Sequence, residues 1–383
     1  MRPKILFFIT EDWFFCSHFL NRAIAAQRSG YEVTVVTHVT NHGDKINSHG
    51  LNLISVKLVR RGMNPLHELR LIWTLIRIFK SVQPELVHNI ALKPIFYGSL
   101  AAFLARVPFI VNAPVGMGFI FSSQKWQATF FRPFVLFAYH LFLNPVNSCV
   151  IFENPDDLHM MTSLGAVSAD RSILIRGAGV DLDLFSPRPE PDGVPVVILA
   201  ARMLWDKGVG EFVEASRILQ KDGIQCRMVL VGDPDEGNPA SIKEQILRHW
   251  QSEGAVEWWG HQDNMTEMFA QSNIVVLPSY REGLPKVLLE AASCGRAIIA
   301  TDVPGCREIV HHNKNGFLVP PRDSTFLADA IKKLIENPDL RTSMGVRGRE
   351  IVRNEFSEEI VIEQTMALYK EKCAQEKCAD EVI

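Results

Sequence analysis

Residues 280–304 read Tyr-Arg-Glu-Gly-Leu-Pro-Lys-Val-Leu-Leu-Glu-Ala-Ala-Ser-Cys-Gly-Arg-Ala-Ile-Ile-Ala-Thr-Asp-Val-Pro. Their order is strand end, tight turn, short helix, next strand. Upstream, Ile274–Leu277 is a short apolar run stopped by Pro278, as in a parallel strand buried on both faces. Gly283 and Pro285 impose the turn, with Pro285 at or just before the first helical position, where its missing N–H costs nothing. Lys286–Ser293 follows as a helix of two turns, with Gly295 as its stop. A glycine-containing turn that feeds a helix N-terminus presents free backbone N–H groups and can hold a phosphate. Two carboxylates frame it: Glu282 in the turn and Glu290, expected about two turns into the helix.

Outward from this stretch the same rhythm recurs. In the second half, strands are expected at 196–200, 227–231, 256–258 and 297–301, alternating with helices at 209–220, 242–251 and 265–271. In the first half, strands at 5–9, 32–37, 86–88, 109–112 and 148–152 alternate with helices at 19–28, 66–79 and 96–105. The β-α-β order implies parallel sheets covered on both faces. Three prolines and a glycine within 186–193 read as a linker. The expected architecture is therefore α/β, with two doubly wound domains facing across a cleft: 1–185, 186–357, and a last helix at 358–383 crossing back to the first domain. Ligands of such sheets sit at the carboxyl ends of the strands.

Composition bounds the function. The chain has 383 residues, 47% apolar and 22% charged, which suits a two-domain globular protein. Residues 1–185 hold 17 Lys and Arg against 12 Asp and Glu; the remainder holds 23 against 31. A basic first half favours phosphates or a membrane surface as partner. The seven cysteines show no metal spacing and suit reduced thiols in a cytosolic protein. No apolar segment reaches the ~18 residues of a spanning helix.

The candidate chemistry lies at strand ends. Arg202 ends the strand at 196–200, and Lys207 enters the following helix. Two cations beside a helix N-terminus can hold a diphosphate without a metal: arginine supplies a planar donor fork, lysine a point charge. The metal candidates are weaker. Asp181-Leu-Asp183 and Asp233-Pro-Asp235 are short Asp-x-Asp patterns with no histidine at ligand spacing, and His311-His312 reads as loop.

These residues resemble glycosyltransferase family 4, whose members have the two-domain GT-B fold. The resemblance covers nearly the whole chain. It rests on Arg202 and Lys207, on Glu282 and Glu290 within Glu-Gly-Leu-Pro-Lys-Val-Leu-Leu-Glu-Ala, and on 177–185, Val231-Gly-Asp233 and Pro304-Gly-Cys-Arg-Glu308. In that family 177–185 is an interdomain element, which further weakens the metal reading. The fragments at 87–94, 115–118, 151–157 and 205–212 are similar to bacterial transferases that extend sugars on undecaprenyl diphosphate in O-antigen, capsule and N-glycan assembly.

The resemblance implies a retaining transfer from a UDP-sugar, UDP-N-acetylgalactosamine or UDP-galactose, to a polyprenyl-diphosphate-linked saccharide, with no metal and no other cofactor. Arg202 and Lys207 would hold the diphosphate and stabilise the leaving group, helped by backbone N–H groups around Gly283, Leu284 and Pro285. Glu282 would meet the sugar and Glu290 the ribose. The family's Gly-Gly loop is replaced here by 10–18, where His18 opens the first helix and is a candidate cleft residue. Val115 stands where relatives carry a polar residue or histidine before the Gly-x-Gly that is Gly116-Met-Gly118 here, so that histidine does not transfer. Gly116, Gly118 and Lys93 are further candidates for donor or acceptor. Basic amphipathic stretches at 57–80 and 125–143 suggest attachment to the cytoplasmic face of the inner membrane, and no nucleic-acid partner is expected. Two other readings stay open: a UDP-sugar 2-epimerase on this fold, and a catalytically inert UDP-sugar-binding partner subunit.

Overall fold

The computed structural model describes residues 2–58, 64–115 and 126–380. The chain forms two compact units, Met1–Ala178 with Val361–Ile383, and Gly179–Ile360. In the first unit, strands β1 (Lys4–Glu11), β2 (Glu32–His38), β3 (Asn52–Ser55), β4 (Leu86–Ile90), β5 (Phe109–Ala113), β6 (Ser148–Phe152) and β7 (Ser172–Leu174) form one parallel sheet in the order β3-β2-β1-β4-β5-β6-β7. In the second, β8 (Val196–Ala200), β9 (Arg227–Val231), β10 (Glu257–Trp258), β11 (Ile274–Leu277), β12 (Ala297–Thr301) and β13 (Gly316–Val319) form another, in the order β10-β9-β8-β11-β12-β13. Every residue of β4, β6, β8, β11 and β12 is buried. Helices cover both faces, as the apolar runs of β6, β8, β11 and β12 require, and in β4 the buried His88 and Asn89 find hydrogen-bond partners.

The strand order reverses direction once in each sheet, beside β1 and beside β8. At such a switch point neighbouring strand-end loops diverge and leave a crevice. Arg202 and Lys207 follow β8, so the second unit's candidate cations stand at its crevice.

Several expectations need correction. The proline-rich stretch at 186–193 is no free linker. It lies inside the second unit, where Arg296 Nη2 donates to the Pro189 carbonyl at 3.1 Å and Glu190 Oε2 accepts from Arg341 at 2.7 Å and from Asn273 Nδ2 at 2.8 Å. Buried guanidinium and amide groups need these partners, and a proline-stiffened segment supplies them in fixed positions. The junction lies at Ala178–Gly179 instead, and the return falls after Ile360 rather than before 358. Gly179 has φ +73°, and a Cβ there would stand 2.7 Å from the Glu358 Cα, so the two passing segments tolerate only glycine. The last helix, Glu358–Asp380, lends Val361, Leu368 and Tyr369 to the first unit's core.

The segment after β1 is not a loop. It is a helix, Asp12–His18, and His18 closes it rather than opening the next one, Leu20–Arg28. Buried Asp12 fixes its start by accepting N–H bonds from Thr40 (2.7 Å) and His42 (2.8 Å). In Pro65–Val82 the buried residues are Leu71, Leu75 and Phe79, whereas Leu66, Leu69 and Trp73 of the expected apolar stripe face solvent.

Candidate functional site

The second unit's site is assembled by close backbone approach. Gly208, with φ +71°, ends the single turn Trp205–Lys207. A Cβ on it would lie 2.1 Å from the Pro278 carbonyl oxygen. Glycine therefore lets the loop after β8 touch the loop after β11, and the Tyr280 N–H donates to the Asp206 carbonyl at 3.0 Å. Gly305, at φ +80°, does the same for the loop after β12: its Cβ would sit 2.2 Å from the Gly283 carbonyl oxygen. Three strand-end loops are thus pinned together around two side chains. Lys207 Nζ lies 2.6 Å from Glu282 Oε1, and both side chains are largely but not wholly buried.

Glu282 leads through Gly283, Leu284 and Pro285 into the helix Lys286–Ser293. Pro285 is its N-cap, and no side chain caps the helix. With no side-chain cap there, the positive end of the helix can face an anion. Pro285 itself has no N–H to offer. The Leu284 side chain is buried in the core, so only its backbone can meet a ligand. Glu290 lies four residues after Lys286, one turn into the helix rather than two, and the two pair at 3.4 Å. Burial pushes the Glu290 carboxyl up, and Lys286 partly offsets it.

Arg202 and Glu290 line one cavity of about 270 Å³, together with Ala201, Gly232, Asp233, His261 and Val287. Gly232 (φ +129°) brings β9's end against the Ala201 carbonyl oxygen, 2.0 Å from where a Cβ would stand. Asp233 Oδ1 accepts the His261 N–H at 3.0 Å and so shapes the opposite wall. A cavity with a guanidinium, two carboxylates and an uncapped helix start suits a polyhydroxylated anion. Lys207 and Glu282 do not line this cavity; Glu282 stands three residues before the N-cap of the same helix.

Sequence reasoning missed three features. Asp235 accepts a hydrogen bond from Arg202 Nη1 at 2.5 Å. Asp233 and His261 line the cavity. Tyr280 donates its hydroxyl to Glu211 at 2.6 Å beneath the Arg322 guanidinium, which holds the 280–282 segment from behind. The glycines at 208 and 232 were the available signals for the tight loop contacts. The first Asp-x-Asp is a turn: Asp181 Oδ1 accepts the N–H groups of Asp183 and Leu184 at 3.0 and 2.9 Å. Among the described residues, no three His, Cys, Asp or Glu side chains gather where they could hold a metal ion.

The first unit's candidates are dispersed. Lys93 Nζ is held by Glu68 at 2.7 Å. His18 stacks beside Phe14, with ring centroids 4.3 Å apart. Gly116 and Gly118 lie outside the described residues, as do Arg60, Arg61 and Lys125. Directly after β6, burial pushes the half-buried Glu153 carboxyl up to about 7, against the opposing charge of Arg22 and with that of Asp157.

Comparison with known proteins agrees with this architecture. Residues 182–351 match the family of glycosyl transferases group 1, and residues 4–154 match the glycosyl transferase 4-like family. The chain is 28% identical over 351 residues, 88% of its length and 90% of the relative's, to the Campylobacter jejuni N,N'-diacetylbacillosaminyl-diphospho-undecaprenol α-1,3-N-acetylgalactosaminyltransferase. It is 22% identical to the Staphylococcus aureus capsular polysaccharide biosynthesis glycosyltransferase CapM, over 86% of this chain and 88% of that one. Among solved structures, sucrose-phosphate synthase from Thermosynechococcus elongatus superposes with a TM-score of 0.81 at 21% identity, covering 98% of this chain and all of the other. Anabaena HepE bound to UDP and glucose gives a TM-score of 0.79 at 21% identity, covering 96% and 99%. The chain is a glycosyltransferase of the GT-B fold, joining a glycosyl transferase 4-like first domain to a group 1 second domain.

Proposed function

We propose that this protein is a retaining transferase that moves a hexose or N-acetylhexosamine from a UDP-sugar to a saccharide carried on undecaprenyl diphosphate. The carrying observation is the second unit's pairing of functions: Arg202 and Glu290 in one cavity, Lys207 against Glu282 beside an uncapped helix start. The Campylobacter relative's lipid-linked acceptor supports the acceptor class, and HepE's bound UDP supports the nucleotide.

In this reading Arg202, Lys207 and the helix start hold the diphosphate, and their positive charge stabilises the departing nucleotide. Glu290, buried and poised to accept a hydrogen bond, meets the ribose hydroxyls. Glu282, steered by Lys207, meets the transferred sugar. The transition state is oxocarbenium-like, and the leaving phosphate takes the acceptor's proton on the same face, which retains the anomeric configuration and gives an α-glycoside. Two fixed cations do the work a metal would otherwise do, so the reaction proceeds in the presence of a chelator. The donor is UDP-N-acetylgalactosamine or UDP-galactose.

Attachment to the cytoplasmic face of the inner membrane belongs to the same reading. No described helix is long and apolar enough to cross a membrane. On Pro65–Val82, exposed Leu66, Leu69 and Trp73 share a face with exposed Arg70, Arg77 and Lys80, and the Arg77 guanidinium lies 4.5 Å from the Trp73 ring centre. Apolar and aromatic groups edged by cations suit an anionic lipid interface.

The test is incubation with UDP- and GDP-sugars and a short-chain polyprenyl-diphosphate saccharide, with products read by mass and anomeric configuration by NMR. Acceptor-dependent release of UDP with an α-linked product is expected. Sugar epimerisation without an acceptor, or no turnover with any donor, overturns the reading.

A further inference from the structure

The Arg202–Asp235 pair stands out once Arg202 is placed at the diphosphate. Arg202 Nη1 lies 2.5 Å from Asp235 Oδ2, with the arginine side chain 39% exposed and the aspartate 22%. Asp235 does not line the 270 Å³ cavity that Arg202 and Glu290 share, so its carboxylate reaches the guanidinium from outside it. A folded loop delivers it. The Asn238 N–H donates to the Asp235 carbonyl at 2.8 Å, and Asn238 Nδ2 lies 3.4 Å from Oδ2. That loop is itself tied across the strand-end segment carrying Arg202: the Met203 N–H donates to the Asp233 carbonyl at 3.0 Å and the Trp205 N–H to the Ala240 carbonyl at 2.8 Å.

We infer that Asp235 is a built-in competitor for the donor's diphosphate: it holds Arg202 while the site is empty, yields it when the nucleotide binds, and retakes it as UDP leaves. The inference rests on the donor-site reading above. A carboxylate and a phosphate oxygen offer the same guanidinium the same geometry, and a diphosphate carries more charge, so it wins the exchange. A partly exposed pair is weak, which makes the exchange inexpensive and reversible. The consequence is a donor site with deliberately moderated affinity for the product nucleotide. Because Asp235 is displaced while UDP holds Arg202, the regain of the Asp235–Arg202 pair offsets part of the UDP affinity and favours release.

Calorimetric titration of UDP and of uridine into the wild type and Asp235→Asn tests this. The amide keeps the side chain's shape and its reach to Asn238 while removing the charge. UDP is expected to bind Asp235→Asn about three- to fivefold more tightly, as loss of a surface-pair competitor predicts. Stopped-flow release of UDP should slow by a similar factor. Uridine, which has no phosphate to compete, should bind both proteins alike. UDP binding that is unchanged or weakened, or UDP and uridine affinities that shift together, overturns the inference and leaves Asp235 a loop-shaping residue. If neither protein binds UDP while both remain folded by circular dichroism, the donor-site reading falls and the competitor with it.

Discussion

The charged groups of the second unit's candidate site stand at its strand ends, whereas the polar groups on the first unit's β4 and β5 and at the end of β1 turn inward. In the second, Arg202, Lys207, Glu282 and Glu290 meet each other or a cavity beyond β8, β11 and the helix Lys286–Ser293. In the first, Asp12 is buried under its own N–H donors, His88 donates or accepts at Tyr369 (2.6 Å), and Asn89 donates to Asn112 at 3.0 Å in the core. Burial works to raise the Asp12 carboxyl, but the bonds from Thr40, His42 and Trp13 together hold it below the usual range. The difference teaches what to look for on each side. In the proposed reading the second unit presents a charged site for a small polyanion. The first presents a rigid frame with an apolar, basic outer helix face.

That contrast breaks most readily at Lys207. Removing a cation from a developing leaving-group charge costs about a hundredfold or more in turnover, about 2.7 kcal/mol. Lys207→Ala should therefore lose transfer activity to that degree, measured as sugar incorporation into the lipid acceptor, while its melting temperature changes little. A Lys207→Ala enzyme within a few-fold of wild type would remove the second unit's claim to the chemistry.

Gly305→Ala comes next. Its Cβ would clash with the Gly283 carbonyl and force φ +80° on an alanine. The expected cost is about 1–3 kcal/mol, read as a lower denaturant midpoint, together with weaker donor binding as the 282–285 turn shifts. A variant with wild-type stability and donor affinity would show that the loops need not be pinned.

The first unit's frame predicts its own pH response. Burial, with Arg22 nearby, lowers the His88 pKa to about 3. The folded chain thus keeps His88 neutral while the unfolded chain takes up a proton near pH 6.5. The stability it contributes is complete above that value and falls as the pH drops toward 3. Glu153 works in the other direction: its stabilisation is present below about 4.5 and is lost as the pH rises through about 7. Replacing Glu153 with Gln should flatten the second of these slopes in urea unfolding between pH 5 and 8, and an unchanged slope would contradict the assignment.

The smallest effect concerns the outer face. Replacing Arg70, Trp73 and Arg77 together should reduce pelleting with anionic liposomes several-fold without altering UDP binding. Equal pelleting of both proteins would remove the membrane from the account.

Much of this was legible because the relevant signals are local. Unbroken apolar runs marked β8, β11 and β12, and the Gly–x–Pro turn marked the helix start. Three strands went unseen, β3, β7 and β13. Each has only three or four residues, too few to show a period, and two are half-exposed at a sheet edge. The exposure of Trp73 could not be read because helical spacing marks two apolar faces on Pro65–Val82, and only tertiary packing chooses between them. The Asp235 partner of Arg202 was equally hidden. It comes from a Pro- and Gly-rich loop that local pattern reads as a turn, and no spacing rule says which distant carboxylate a cation will meet. The proline stretch at 186–193 had the composition of a linker, yet buried Arg296 and Arg341 recruit it as structure.

The division of labour between the two glutamates is the account's central claim, and steady-state kinetics on Glu282→Ala and Glu290→Ala measures it directly. Glu282→Ala should lower kcat by tenfold or more with the donor KM nearly unchanged. Glu290→Ala should raise the donor KM about tenfold with a smaller change in kcat, because it removes ribose binding present in ground and transition states alike. Equal effects of both substitutions on both parameters would contradict it.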